Sequence, residues 1–480
     1  MQPEEYLRNA EPKLRISPHL LSAILVFQAA IPAEANDLMR LYRLALTRDM
    51  TLEAAKHQRD AAIEARPQAL SQWLPWLSGV GSRERHFSSR PAASFGLTED
   101  ASSPPLLGSF GLEDCSRTSA ATVRCSANST SYGLTLSQTL WSYEAYSQLK
   151  QADAQVASAE ATYVSAQQDL LLRLAQAYFA VLAARDQLST LRLERDAYAL
   201  QLKQTQDREQ TGLGSRSDVE QSKAFYDLTA QNLINTQNSL DDAELTLATI
   251  VGEPPGHIAP LLEQIPLIAP DPVSADAWVD STLRDNPELH AAELTAEAAE
   301  RDISVQRGKA MPILALAGTG MRASGPLELG GDNTVATVGV YFNWPLFQGG
   351  AVNSAVRQSR ALYHQSESNL EAIKRDMVQQ TRAAYRNILA GIESVKAGRV
   401  ARDSAYTAMQ TARHDIEFNV SPMFILLQYQ ARYYSAVNAY DQARYGYLAN
   451  VLLLEKQAGR LAEQDLAMID SLLVTETSAE

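Results

Sequence analysis

The chain has 480 residues, a formal net charge of -14, 45% hydrophobic residues and only 7% aromatic ones. Acidic and basic residues are interspersed along segments rich in Ala, Ser, Gln and Leu, so nothing invites nucleic-acid phosphates, and nucleic acid is not expected as a partner. Small residues suit closely packed helices, and the usual length prior of about 100–200 residues per domain predicts several globular domains unless the chain is internally repeated.

Residues 1–35 read as an export signal. Lys13 and Arg15 precede a broken apolar run from Leu20 to Ile31, and Ala33-Glu34-Ala35 has the small-x-small form before Asn36. Glu4 and Glu5 in the long leading region leave a membrane-anchored or cytosolic start as the alternative. No other stretch reaches the ~18 apolar residues of a spanning helix. Any part embedded in a membrane must therefore be made of strands.

From Asn36 to about Leu70 the pattern is helical, with Leu41, Leu44, Ala45, Leu52, Ala55 and Ala62 on the apolar side, and Pro67 and Pro75 are expected to end it. Trp73 to Arg85 predicts a strand and Tyr132 to Trp141 its partner, in which Leu134, Leu136 and Leu140 alternate with Thr135, Ser137 and Thr139. The Ser/Gly/Pro-rich segment between them carries both cysteines, Cys115 and Cys125. In an exported chain the pair reads as one disulfide closing a short loop, with two free thiols as the alternative. Without a neighbouring His the spacing argues little for a metal.

Tyr143 to Asp207 follows as one helix, on the order of 100 Å long at 1.5 Å per residue, a length no globular domain needs. The chain reverses at Gly212 and returns as a helix from about Ser217 to Ile250. Six prolines between Pro254 and Pro272 mark residues 254–272 as a semi-extended linker. A further helix opens near Ser274 and is expected to continue through Asn286-Pro287-Glu288-Leu289 to Val305.

The remainder repeats this plan. Met311 to Arg322 predicts a Gly/Ala-rich strand, and Val335 to Leu346 its return, with Val338, Val340, Phe342, Trp344 and Leu346 on one face. A face this aromatic is costly in water unless lipid covers it. Phe342, Trp344, Leu134 and Leu136 are accordingly the candidate lipid-facing belt, the alternative being the core of a soluble sheet. Ala351 to His414 and Pro422 to Gln457 mirror the two long helices. A shift of 207 superposes the halves without a gap, taking Tyr178 to Tyr385, Gly212 to Asn419, Tyr226 to Tyr433 and Gly252 to Gly459. The seam of Leu149, Ala152, Val156, Ala159, Tyr163, Ala166 and Leu170 obeys the same shift, and its steps of three and four mark a coiled-coil face.

The chain thus divides into repeat one at 36–253, the linker, repeat two at 273–461 and a tail at 462–480. The expected fold is mainly α with a β-barrel part, two tandem units of β-hairpin plus long coiled-coil helices. Four strands cannot close a barrel, since small ones need about eight. Open edges are not tolerated in lipid, so several chains must share one barrel.

Leu74-Pro75-Trp76-Leu77 and Met311-Pro312-Ile313-Leu314 begin the two first strands, and Trp344-Pro345-Leu346-Phe347-Gln348-Gly349-Gly350 leaves the second hairpin. With Gln176-Ala177-Tyr178, Thr211-Gly212-Leu213, Ser217-Asp218-Val219 and Asn286-Pro287-Glu288-Leu289, in this order and spacing, the chain resembles the TolC family of outer-membrane channel proteins from about Asn36 to Leu461. The resemblance implies a homotrimer with a shared twelve-stranded outer-membrane barrel and a helical tunnel across the periplasm. It also implies docking to a periplasmic adaptor (membrane fusion) protein and an inner-membrane pump, proton-driven or ABC, with no cofactor and no chemistry in the duct. Gly212, Leu213, Asn419, Val420 and Pro422 become expected adaptor-docking residues, beyond their plainer role of reversing the helices. Asp218, Ile425 and Gln428 become the expected periplasmic gate. Similar proteins often carry carboxylates just after the second tip, whereas Phe418 to Gln430 contains none, so a greasy or amide-lined gate is expected here. Arg208, Glu209, Arg216, Asp415 and Glu417 form either a solvated face or, with Asp218, an ion-pair latch.

The seven histidines show no paired spacing, and no nucleophile elbow, phosphate loop or dinucleotide fingerprint occurs in context, so an enzyme is not expected. Asn128-Ser129-Thr130 matches a glycosylation sequon, a pattern common by chance. The competing class is a periplasmic coiled-coil adaptor or structural scaffold, which has long helical hairpins but lacks paired amphipathic strand hairpins. The cargo of a duct, small molecules or one secreted protein, stays open.

Overall fold

The computed structural model describes residues 37–91, 114–119, 122–325, 331–418 and 421–474. The export signal, Asn419 and Val420 lie outside these residues. Among the described residues no helix is long and apolar enough to cross a membrane.

The first helical stretch is three helices rather than one: α1 (Asp37–Arg48), α2 (Met50–Ile63) and α3 (Ala65–Ser71). Asp49 makes the first break, because its carboxylate accepts the Leu52 amide at 2.7 Å as an N-cap. Pro67 does not end the run. It lies in the first turn of α3, where a missing amide deprives no helical carbonyl of its donor.

Strand β1 (Trp76–Pro91) pairs antiparallel with β3 (Thr122–Ser142) from Trp76 opposite Ser137 to Pro91 opposite Thr122, and both run well past their expected ends. Short β2 (Asp114–Ser119) pairs with the far end of β3. Two long helices follow, α4 (Tyr143–Gln210) and α5 (Arg216–Val251). After the linker come α6 (Ala275–Asp285) and α7 (Pro287–Gly308), again two helices where one was expected. Asn286 is extended, accepts the Glu288 and Leu289 amides at 2.9 and 3.1 Å, and precedes Pro287, which disfavours helical backbone before it. Repeat two continues with β4 (Ile313–Ser324), β5 (Asn333–Asn343), α8 (Ala351–Glu417) and α9 (Met423–Gln457).

The two hairpins fuse into one sheet of order β1-β3-β4-β5, with β2 beyond the reach of β4. On the helical side, α4 packs with α2, α3 and α7, and farther from the sheet with α5 and α9, while α8 follows α7 and then α9. At ~1.5 Å per residue α4 is about 100 Å long. Its seam residues from Leu149 to Leu170 are buried or half-buried, as are their partners from Val356 to Met377.

Midway along the wall the linker, α1 and residues 463–474 form a collar. Tyr178 donates its hydroxyl to the Ala259 carbonyl at 2.9 Å, and Tyr440 and Tyr447 donate theirs to Glu263 and Ile268 at 3.0 Å. Asp37 accepts the Ala259 amide at 2.9 Å. The stretch assigned to a tail folds back instead as α10 (Glu463–Asp470), because Leu466, Ile469 and Leu473 are apolar and bury against α1. Asp470 accepts the Leu38 amide at 3.0 Å, and Leu473 bridges Leu261 of the linker.

Gly252 and Gly459, matched by the 207-residue shift, are equivalent left-handed sites at the ends of α5 and α9, with φ of 80° and 71°. At Gly459 a Cβ would meet the Asp285 carbonyl oxygen at 2.3 Å, whereas at Gly256, φ 69°, it would meet nothing within 4 Å. Gly256→Ala should lose only the backbone preference, roughly 1–2 kcal/mol. Gly459→Ala should lose several times more; heat-unfolding midpoints of the two variants, followed by helical circular dichroism, measure the difference.

Candidate functional site

Two ends of the molecule carry the expected functional residues. At the sheet, the register puts Leu77 opposite Leu136, Leu134 opposite Gly320, and Val338, Val340 and Phe342 opposite Gly318, Leu316 and Leu314. Antiparallel partners share a face, so these residues form one apolar surface. It is bare in the single chain, with Val338 81%, Phe342 66% and Leu77 62% exposed. Thr135, Ser137, Ala315, Ala317, Thr319 and Thr337 line the opposite face. Leu140 falls in a bulge, so that Trp141 and not Leu140 stands in a row with Leu314 and Phe342. Trp344 is beyond the strand, which ends at Asn343; Pro345 supplies no ladder amide, and the Trp344 indole donates to the Ala310 carbonyl at 3.2 Å.

At the opposite end α4 closes in a Schellman turn. The Leu213 amide donates to the Arg208 carbonyl at 2.8 Å and the Gly212 amide to Glu209 at 2.9 Å, with Gly212 at φ 74°. Ser215 then caps α5 by accepting the Asp218 amide at 3.3 Å. The equivalent N-cap of α9 is Pro422, which has no side-chain acceptor. The two tips meet around a cavity of about 300 Å³ lined by Arg208, Leu213, Asp218, Ser421, Pro422 and Met423, among others. The fold thus brings together three expected residues, Leu213, Asp218 and Pro422. Ile425 packs instead against the adjoining core of Tyr198, Ala412, Met423, Leu426 and Leu427, and Gln428 is half-buried one turn farther along α9.

Other residues at this end escaped sequence reasoning. Gln201 and Gln430 are 5% and 7% exposed, yet their side-chain oxygens lack hydrogen-bond partners among the described residues, as does the hydroxyl of fully buried Ser222. Polar residues interrupting the apolar seam were the available signal. A polar cavity of about 630 Å³ opens between α4, α5 and α9, lined by Gln187, Glu194, Asn232, Asn235, Ser435 and Asn438 among others. Tyr198 donates its hydroxyl to Glu194 at 3.0 Å. Burial pushes the Glu194 carboxyl up, against the opposing pull of that hydrogen bond. The Tyr434 phenol is pushed up to about 12, by burial first and then by the Glu194 charge. Among the described residues no group of three or more His, Cys, Asp or Glu is placed to hold a metal.

A sheet with an apolar outer face and two open edges, continuous with a helical wall, defines a subunit of a membrane channel with a tunnel attached. The outer membrane efflux protein family matches residues 41–253 and 278–460. The chain belongs to that family and is an outer-membrane exit duct. It is 29% identical to the alkaline protease secretion protein AprF of Pseudomonas aeruginosa, over 92% of this chain and 88% of the relative. With the outer membrane protein TolC of Vibrio cholerae it shares 27% identity over 95% and 98% of the two chains. Its fold matches the CmeC outer membrane channel of Campylobacter jejuni with a TM-score of 0.74 at 15% identity, covering 92% of this chain and 90% of that one. The outer-membrane channel OprN gives 0.72 at 20%, covering 88% and 90%.

A buried carboxylate whose pKa is raised by folding stabilises the fold most when protonated, and that contribution is lost as pH rises from the free glutamate value through the raised one. Glu194→Gln keeps an acceptor for Tyr198 and removes the charge. Its heat-unfolding midpoint should match wild type at about pH 4, near the free value, and exceed it at neutral pH.

Proposed function

We propose that three copies complete a twelve-stranded barrel, β1, β3, β4 and β5 from each, and surround a tunnel that carries small molecules or secreted proteins passively across periplasm and outer membrane. The tips at Gly212, Leu213, Asn419, Val420 and Pro422 dock a periplasmic adaptor serving an inner-membrane pump. Asp218, Ile425 and Gln428 border the gate, and the apolar face with Phe342, Leu134 and Leu136 meets lipid, with Trp344 just past the end of its strand.

One observation carries this reading: among the described residues β1 and β5 leave unpaired backbone edges on a sheet with one apolar face. Hydrocarbon offers nothing to those amides and carbonyls, so further copies must. The rows from Trp141 to Tyr132, apolar but for Gln138 and, at their outer end, Arg322 and Thr334, extend about 27 Å along β4, which at a tilt of about 40° spans some 21 Å, close to the ~25 Å band of outer-membrane barrels. Convergence of both tips on one cavity supports docking there, and the buried Gln201 and Gln430 side-chain oxygens, without hydrogen-bond partners among the described residues, support a gate, since an unsatisfied buried polar group costs about 1–3 kcal/mol. Names among the relatives cover both protease secretion and efflux. The register of β2 and β3 sets Cys115 opposite Cys125, which supports reading the pair as one disulfide.

Single-channel recording of the purified protein in a planar bilayer tests the duct. Small stable conductance steps are expected, and Gln428→Asp should raise cation over anion permeability by adding a ring of charge at the constriction. Absence of current would remove the pore. The gate has its own check: cysteines replacing Leu213 and Pro422, joined by a short bifunctional reagent, should stop export while trimers still assemble. Normal export by the joined protein would move the gate away from the tips.

A further inference from the structure

The face that carries the apolar belt continues outward with a different chemistry. Beyond Leu134, the next row on that face sets Tyr132 beside Arg322. The row after it sets Arg83 beside Thr130 and Ser324, and the next sets Arg85 beside Asn128. Phe87 with Ser126 and then Arg124 with Ser89 complete the series. Arg83, Arg85, Arg124 and Arg322 are all exposed. Arg85 is held in position, its Nη2 donating to Ser126 Oγ at 3.2 Å and its guanidinium over the Phe87 ring at 5.6 Å. Glu84 and His86, 3.5 Å apart, occupy the opposite face. Among the described residues two acids belong to the arginine face, Asp114 opposite Ser126 by register and Asp332, whose carboxylate accepts from Ser324 Oγ at 2.6 Å at the edge of the Arg83 row. Four arginines therefore gather on one strip of a chain whose net charge is -14.

The strip has a definite height. The long helices leave the sheet at Ser142 and beyond Asn343, so the arginine rows lie at the end away from the helical wall. The first of them shares the tyrosine row, and the second is about 7 Å farther along the strand, two residues at ~3.4 Å each. Apolar side chains, then tyrosine, then arginine is the order a protein surface needs to cross from acyl chains through the interface into charged headgroups.

We propose that Arg83, Arg124 and Arg322, together with Arg85, bind phosphate groups of a phosphorylated glycolipid in the outer leaflet. The guanidinium fork matches phosphate oxygens two at a time and stays charged at any physiological pH. The lipid is favoured over a soluble polyanion because these arginines share a face with the belt, whereas cargo passes the opposite face. The proposal rests on the belt being lipid-facing. It assigns the duct a headgroup contact that sets its depth in the membrane.

The test compares wild type with the triple variant R83Q/R124Q/R322Q, both purified in detergent. Heat-unfolding midpoints are taken after adding lipopolysaccharide, enzymatically dephosphorylated lipopolysaccharide or inorganic phosphate. The wild-type midpoint should rise with lipopolysaccharide, less so in high salt, and stay unmoved with the other two additions. The triple variant should lose most of the rise and R83K/R124K/R322K should retain part of it. Equal shifts for wild type and the glutamine variant, or an equal shift with dephosphorylated lipid, overturn the proposal, and a matching shift with inorganic phosphate replaces the lipid by a soluble anion. Should the triple variant fail to assemble, Arg322→Gln alone must still show a reduced rise. A fluorophore on Val338→Cys in vesicles with brominated acyl chains separates the two readings. An unquenched probe removes the belt itself, and a quenched probe with no arginine dependence removes only the headgroup contact.

Discussion

Everything at the membrane end follows from one constraint: a backbone amide or carbonyl in hydrocarbon has no water to bond with. The sheet of this chain satisfies its interior ladders and leaves two rows of such groups, on β1 and on β5. Neither strand carries a device that would blunt its edge within the belt. Association is therefore a condition of the sheet existing in lipid at all. It also explains why the outer face can be this apolar without hazard to a protein that assembles in the membrane.

The helical end works under a different rule. The collar is built of hydrocarbon, with Leu38, Leu41, Leu170, Leu174, Leu247 and Tyr178 fully buried, and it is closed by side-chain hydrogen bonds to the linker backbone. Toward the tips the same seam carries Gln201, Ser222 and Gln430, and the space between α4, α5 and α9 is lined by amides and hydroxyls. Contacts of this second kind exchange readily with water, so rearranging them costs less than opening the collar. The wall is thus packed with hydrocarbon in the middle and increasingly with polar side chains toward its tips.

Several elements were legible because their signals are local and periodic. The duplication predicted equivalent helix ends, and Gly252 and Gly459 are both left-handed caps. Alternation identified the common face of Leu134, Leu136 and Phe342, and the single pattern of α4 gave a helix of nearly its true length. Failures came where a side chain competes with the backbone pattern. Asp49 and Asn286 each cap a new helix inside a stretch that reads as continuous, while Pro67 is harmless because of its place in a first turn. Trp344 was assigned to a strand whose ladder Pro345 ends, and the bulge at Leu140 moved Trp141 into the belt row. At the candidate site Leu213, Asp218 and Pro422 do meet, but the buried amides behind them were visible only as gaps in a seam.

By itself the sequence determined the tandem plan, the lengths of the helices and the two-sided character of the strands, since each depends on spacing along one stretch of chain. Tertiary structure alone decided what depends on residues far apart. It fused the two hairpins into one sheet, folded α10 back onto α1, drew the linker around the wall, and brought Arg83, Arg124 and Arg322 onto the face of the belt. Register between distant strands and closure of a collar by α1 and α10 are set by burial and by pairing of backbone groups across the fold, and no local pattern encodes them.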